Sequence, residues 1–367
     1  MIKNFKWLLL VSLTFVACSK NEEGDKVAEV PLTAGTANFS KYVALGNSLT
    51  AGFSDGALFK KGQEGSYTNI LAQQFAKVGG GEFKIPYTND NIGGLLFGGN
   101  ANPAFGPRLY FNGAAPMPVT GVPTTEVFAP NTGGPYNNMG VPGAKSFHLL
   151  APGYGSPAGL ATGTANPYFI RFATAPGTTI LADALIQNPT FFSLWIGNND
   201  VLSYATSGGI GVNQIGNTNP ATYGSNDITD PNAFAGVYGL LIDKLTENGA
   251  KGVVANIPDV TTIPFFTTVP FNPLRPSVLG AGVIATGNAT ISALNAQLYG
   301  PLKQALTAFG AGDRINLLVA SSSTIPDPVN PLLIKDEYLP NLSAQLTAAF
   351  TPSLGAATAA AFGAIYG

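Results

Sequence analysis

Residues 42–52, Tyr-Val-Ala-Leu-Gly-Asn-Ser-Leu-Thr-Ala-Gly, constrain this chain more than any other stretch. Tyr42 to Leu45 read as a buried apolar strand that runs into Gly46, and Ser48 follows two positions later. Small Ala51 and Gly52 then let the chain turn away. Such a corner lifts a hydroxyl to the carboxyl end of a parallel strand, where open α/β sheets carry their chemistry. Ser48 is therefore a candidate nucleophile. It still needs a base and a set of oxyanion donors.

Elsewhere, strand and helix signals alternate. Tyr67, Ile70, Leu71 and Phe75 recur at helical spacing, predicting a helix over Ser66–Lys77 that Gly79-Gly80-Gly81 ends. Pro189–Ile196 is a continuous apolar run, as in a strand covered on both faces. Asp230-Pro231 opens a helix, cap then first-turn proline, that should reach Glu247 and stop at Gly249. Lys251–Ile257 reads as another buried strand and Ile315–Ala320 as a further one. Between them Ile291, Leu294, Leu298, Leu302, Leu306 and Phe309 mark a long helix, with Gly300-Pro301 a point for a kink. The pattern predicts an α/β fold: a three-layer sandwich with a mostly parallel central sheet. Two stretches rich in Gly and Pro, Gly93–Pro135 and Ala151–Pro176, read as long surface insertions. Residues 338–367 carry no charge, but Pro340, Pro352 and many polar residues make apolar helices packed on the body a better reading than a membrane span.

The amino terminus reads as a secretion signal. Lys3 and Lys6 precede an apolar core from Trp7 to Val16, and Phe15-Val16-Ala17-Cys18 resembles a bacterial lipobox, in which the cysteine becomes the lipidated first residue. The expected organisation is a signal with its lipobox cysteine over 1–18, a flexible polar tether over 19–38 and a hydrolase-like domain over 39–367. The expected location is outside the cytoplasm, as an outer-membrane-type lipoprotein held by lipid on Cys18, with the cell surface one of the membrane faces left open. With Cys18 the only cysteine, the domain has no internal disulfide. A net charge of −2 with 10% charged residues leaves no electrostatic footprint for nucleic acid. Metal-ligand spacings and phosphate-loop endings are absent, so neither a metal nor a cofactor is expected.

Two further corners matter. Asn138-Met-Gly-Val-Pro-Gly143 places a glycine five residues after an asparagine, and Gly197-Asn198-Asn199-Asp200 directly follows the Phe191–Ile196 run. Together with Gly46-Asn47-Ser48-Leu49 they resemble the ordered blocks of SGNH/GDSL-family hydrolases, over roughly residues 40–320. The resemblance implies the flavodoxin-like SGNH fold and hydrolysis of carboxylic esters, with Ser48 as nucleophile. It also implies an oxyanion hole made by the backbone N–H groups of Ser48 and Gly143 with the Asn199 side chain. Asn47 stands where the family has aspartate; an asparagine still bonds to nearby backbone and keeps the turn. Asn47 and Asp200 are thus expected to support their turns. The implied partners are acyl esters, whether small molecules, lipids or acylated glycans.

The family's last block, Asp-x-x-His, has no counterpart: the single histidine is His148, and Asp313, Asp327 and Asp336 lack a histidine three positions on. Three readings stay open. The block lies beyond Gly367; or the chain is an inactive surface lipoprotein that binds a glycan or lipid; or His148 serves from an unusual position.

Overall fold

The structure, a computed structural model, describes residues 31–129, 133–208, 210–268, 272–334 and 339–367. The expected signal, Cys18 and most of the tether lie outside the described residues. The chain forms two compact units, residues up to Val260 and Thr261–Gly367, within the span that the sequence reads as one hydrolase-like domain.

The first unit is built on four parallel strands: β1 (Tyr42–Gly46), β2 (Asn138–Gly140), β3 (Phe191–Trp195) and β4 (Lys251–Val254). Their order is β2-β1-β3-β4, with Gly46 opposite Gly140 on one side and Trp195 on the other. Because all four run the same way, the corners after β1, β2 and β3 meet at one edge. Strand alternation divides the core. Val43, Leu45, Phe192 and Leu194 face one way and pack with Leu149, Phe169, Ile180 and Leu241. Tyr42, Ala44 and Phe191 face the other way and pack with Leu71, Ala72 and Phe75. The first layer holds the helices α3 (Ile180–Leu185) and α5 (Pro231–Thr246); the second holds α2 (Tyr67–Ala76). Helices therefore cover both faces of an all-parallel sheet, the expected α/β arrangement. Truncating a fully buried residue such as Leu45 to alanine costs about 2–5 kcal/mol.

Helix starts follow the sequence signals. Ser66 Oγ accepts the Asn69 N–H at the start of α2, and Asp230 Oδ1 accepts the N–H groups of Asn232 and Ala233 at the start of α5. The fourth strand departs from expectation: it is shorter than Lys251–Ile257 and exposed throughout, with Val253 and Val254 at 50% and 55%. Its apolar sequence reads as covered on both faces, but it is an edge strand bonded only to β3 among the described strands.

The Gly93–Pro135 insertion carries two short ribbons, Leu96–Phe97 with Asn100–Ala101 and Leu109–Phe111 with Pro116–Pro118. It is pinned to the body by buried Leu95 and Val127, which pack with Ala51, Leu58 and Tyr168.

In the second unit, Ile291, Leu302, Leu306 and Leu346 form a helical core. The expected long helix is continuous, and its irregularity is a π turn, Asn295–Tyr299, between helices Ile284–Leu294 and Gly300–Ala308. The widened turn lies just before Pro301, which has no N–H to give. Ile315–Ala320 is not a strand. Asparagine side chains take the N–H groups that a neighbouring strand would have used: Leu318 N–H donates to Asn295 Oδ1 at 2.8 Å and Val319 N–H to Asn330 Oδ1 at 2.6 Å. The uncharged carboxyl-terminal stretch forms helices Ser343–Leu354 and Ala356–Tyr366. No described helix is long and apolar enough to cross a membrane.

Candidate active site

Ser48 opens a one-turn helix, α1 (Ser48–Ala51), directly at the end of β1. Asn47 caps it: its Oδ1 accepts the Leu49 N–H at 3.2 Å, and its Nδ2 donates to Asn198 Oδ1 at 3.3 Å. The second bond ties the corner after β1 to the corner after β3, and a carboxylate at position 47 could not donate it. The first-turn N–H of Ser48 has no acceptor within its helix, so it is available to a ligand. Gly140 lets α1 lie close against β2, since a Cβ there would strike the Thr50–Ala51 backbone. Asn138 adds to this contact by donating Nδ2 to the Thr50 carbonyl at 2.9 Å and to Thr68 Oγ1 at 3.0 Å.

Gly143 turns the chain after β2 with φ +81°, a conformation that side chains rarely tolerate. Its N–H points at Ser48 Oγ, 3.4 Å away. That is a long bond, so the oxygen is oriented without being held tightly. Asn199 sits in the first turn of α4 (Asn198–Thr206), and its Nδ2 donates to the Ala144 carbonyl at 2.9 Å. One amide hydrogen is thereby spent next to Gly143, and the other is left to give. Asp200 is buried and fixes the same junction, accepting from Ser146 N at 2.8 Å and Ser146 Oγ at 2.7 Å. Burial pushes its carboxyl above the usual carboxylate range, against the opposing pull of the two Ser146 bonds. Ser48, Gly143 and Asn199 therefore meet at one corner, with Asn47 and Asp200 bracing it.

The chain matches no family model, no curated protein and no solved structure. What the corner can do rests on its own geometry.

His148 lies in a 3₁₀ turn, Ser146–Leu150, beyond the glycine corner. Its Nδ1 accepts the Lys145 N–H at 3.0 Å, and its ring stacks on Tyr154 with centroids 4.4 Å apart. Burial, helped by the Lys145 charge, pushes the imidazole down to about 4. Lys145 is itself buried, donating Nζ to the Asp227 carbonyl at 2.7 Å, and burial lowers its pKa although Asp200 and Asp227 raise it. Both side chains are engaged in holding the corner together. Among the described residues, no imidazole or carboxylate is hydrogen-bonded to Ser48 Oγ, whose one partner is the Gly143 N–H.

Beside α1 opens a cleft of about 530 Å³, walled by Leu49, Phe53, Phe59, Tyr67 and Trp195. Tyr67 and Trp195 meet edge to face at 5.5 Å, and the Tyr67 hydroxyl bonds Thr50 Oγ1 at 3.0 Å. Sequence reasoning missed this wall and the Asn47–Asn198 link. Trp195 did carry a signal, as the last residue of the apolar run before the Gly197 corner. The other wall residues come from separate elements with no shared motif.

Proposed function

We propose that the chain is a serine hydrolase of the SGNH/GDSL type that cleaves carboxylic esters, held at an extracytoplasmic membrane face by lipid on Cys18. The observation that carries this reading is the Gly143 N–H aimed at Ser48 Oγ across 3.4 Å, from a residue 95 positions away. The all-parallel sheet with helices on both faces supports the flavodoxin-like arrangement of that family. In the proposed reaction Ser48 Oγ attacks the acyl carbon, and the carbonyl pair moves onto oxygen. The N–H groups of Ser48 and Gly143 and the second amide hydrogen of Asn199 meet that oxyanion; one such donor contributes about 10²–10³ in rate. Collapse expels the alcohol, and water repeats the sequence on the acyl-enzyme. The proton leaving Ser48 must pass through a base to the alcohol. His148 is poorly suited, with Nδ1 occupied and its proton affinity low at neutral pH. His148 is the single histidine in these 367 residues, and no described side chain is bonded to Ser48 Oγ for this role. The apolar wall of Leu49, Phe53 and Phe59 favours an acyl chain in the cleft.

A second reading has its own observation, the lack of a bonded base at Ser48 among the described residues. It makes the chain a surface lipoprotein that binds an ester-bearing lipid or glycan without cleaving it. One experiment separates the two: turnover of p-nitrophenyl butyrate, and labelling by a fluorophosphonate, in the wild type and Ser48→Ala. Turnover and label lost in the variant support the hydrolase. Saturable ester binding with neither supports the binder, and equal turnover by both removes Ser48 from the chemistry. For the anchor, incorporation of labelled palmitate is expected, and is lost in Cys18→Ala.

A further inference from the structure

The ribbon formed by Leu109–Phe111 and Pro116–Pro118 projects from the first unit, resting on Gly56 at its root through Leu109. Every residue from Leu109 to Pro118 is exposed, including Tyr110, Phe111 and Met117 at 48%, 69% and 44%. No charged side chain occurs between Arg108 and Glu126. An apolar projection of this kind marks a contact surface.

The backbone of the ribbon identifies what it contacts. Asn112 N–H donates to the Ala115 carbonyl at 3.1 Å, and the Ala114 and Ala115 N–H groups both donate to Asn112 Oδ1 at 2.9 Å. Pro116 and Pro118 have no N–H at all. At the root, Leu109 N–H donates to the Asp55 carbonyl at 2.7 Å and Val119 N–H to the Arg108 carbonyl at 2.8 Å. The N–H groups of Asn112, Ala114 and Ala115 are thus met within the tip, which lessens the cost of moving it from water into the headgroup layer, where the remaining backbone groups still find polar partners. The same features disfavour other partners. A strand-adding protein needs free N–H groups along an edge, and the two prolines remove them from this one. A glycan needs convergent polar side chains, and the Asn112 carbonyl oxygen is already spent on its own turn.

We propose that this ribbon inserts into the interfacial layer of a phospholipid bilayer, with Phe111 and Met117 in the acyl region and Tyr110 at the headgroup level. Insertion also sets the cleft against the membrane. Asp55 and Gly56, against which Leu109 rests, belong to the loop between cleft residues Phe53 and Phe59. Arg108, at the foot of the ribbon, lies over the Phe59 ring at 5.0 Å. A lipid surface bound at the ribbon therefore lies at the mouth of the cleft.

The test places a fluorophore at the tip of the full chain. Cys18 is the only cysteine, so Cys18→Ala with Phe111→Cys takes one environment-sensitive dye, and Cys18→Ala with Glu247→Cys is the control. Glu247 is exposed at the end of α5, just before β4 begins and so at the opposite edge of the sheet. Phosphatidylcholine vesicles carrying nitroxide lipid are expected to quench the dye at 111 several-fold more than at 247. Adding Met117→Asp, an exposed change that leaves the core intact, should bring the quenching at 111 down to the level at 247. Equal quenching at the two positions overturns the proposal. So does a blue shift at 111 that grows with protein concentration without vesicles, since that gives the surface to a second copy. Ser48→Ala should leave the quenching unchanged, so this inference and the hydrolase reading fail separately.

Discussion

Two cavities of nearly equal size differ in what surrounds them. One, of about 530 Å³, lies beside α1 in the first unit; the other, of about 510 Å³, lies in the second unit among Leu302, Leu306, Leu333 and Ile334. Apolar side chains line both, with polar groups making up more of the second cavity's wall. In the second, the polar lining is occupied with holding chain ends: Arg314 donates to the Pro340 carbonyl at 3.0 Å, and Ser343 N–H donates to Asn341 Oδ1 at 2.9 Å. Next to the first, one residue before wall residue Leu49, lies the Ser48 corner, where the Ser48 and Gly143 N–H groups and the Asn199 amide keep hydrogen-bonding capacity. Volume alone does not separate a site from a packing gap. Unspent polar capacity, held in place by spent neighbours, does.

The sharpest way to break this comparison is to remove a donor without touching the cleft. Asn199→Ala deletes the amide while leaving the Asp200–Ser146 brace, so turnover or fluorophosphonate labelling of Ser48 should fall about 10²–10³-fold. The melting temperature should change little, because only the 2.9 Å bond to the Ala144 carbonyl is lost. A rate within twofold of wild type would remove Asn199 from the oxyanion hole. Gly143→Ala should behave differently. A Cβ there meets nothing closer than Asn166 Nδ2 at 3.8 Å, so the cost is the positive φ alone, about 1–2 kcal/mol of stability.

Legibility followed the range of the interactions. Ser66, Asp230 and Gly79 were readable because caps and turns act over a few residues. Ser48, Gly143 and Asn199 were readable because each sits at a fixed offset in its own corner. The exposure of Val253 and Val254 depends on what lies beside β4, and no local pattern encodes that. Ile315–Ala320 has strand composition, yet its ladder is replaced by Asn295 and Asn330, one of them in a helix turn some twenty residues away. The cleft wall has the same character: Phe53, Phe59, Tyr67 and Trp195 belong together only once β1 and β3 are paired. The ribbon at 109–118 was legible as a loop, but the bonds Asn112 makes within its tip were not.

An intermediate effect separates the two cavities directly. Trp195→Ala opens the wall of the first, while Leu333→Ala enlarges the second by a smaller step. If an acyl chain lies along Trp195, the variant should lose about tenfold in kcat/KM for octanoyl esters and little for acetyl esters. Leu333→Ala should leave both ratios unchanged. A matching loss from Leu333→Ala would mean that the second cavity also takes substrate, and the contrast between the two would collapse.

The smallest effect on turnover belongs to His148, which lies close to the Ser48 corner yet has its Nδ1 taken up by the Lys145 N–H. His148→Gln should change turnover less than about twofold, because the bonded imidazole supplies position rather than protons. Its signature is in stability. The folded value of about 4 lies below the ordinary histidine value of 6.5, so between those limits the unfolded chain binds more protons. Stability is therefore complete above pH 6.5 and falls as pH is lowered toward 4, by on the order of 3 kcal/mol over the whole window. Asp200, pushed upward by burial, contributes with the opposite sign, so the informative quantity is the difference between wild type and variant. Urea unfolding at pH 7.5 and pH 5 should show a smaller loss on acidification in His148→Gln than in wild type. Equal losses would mean that His148 titrates in the fold as it does in the unfolded chain, with its Nδ1 no longer held by the Lys145 N–H, and the neutral imidazole would then be free to serve Ser48 as a base at neutral pH.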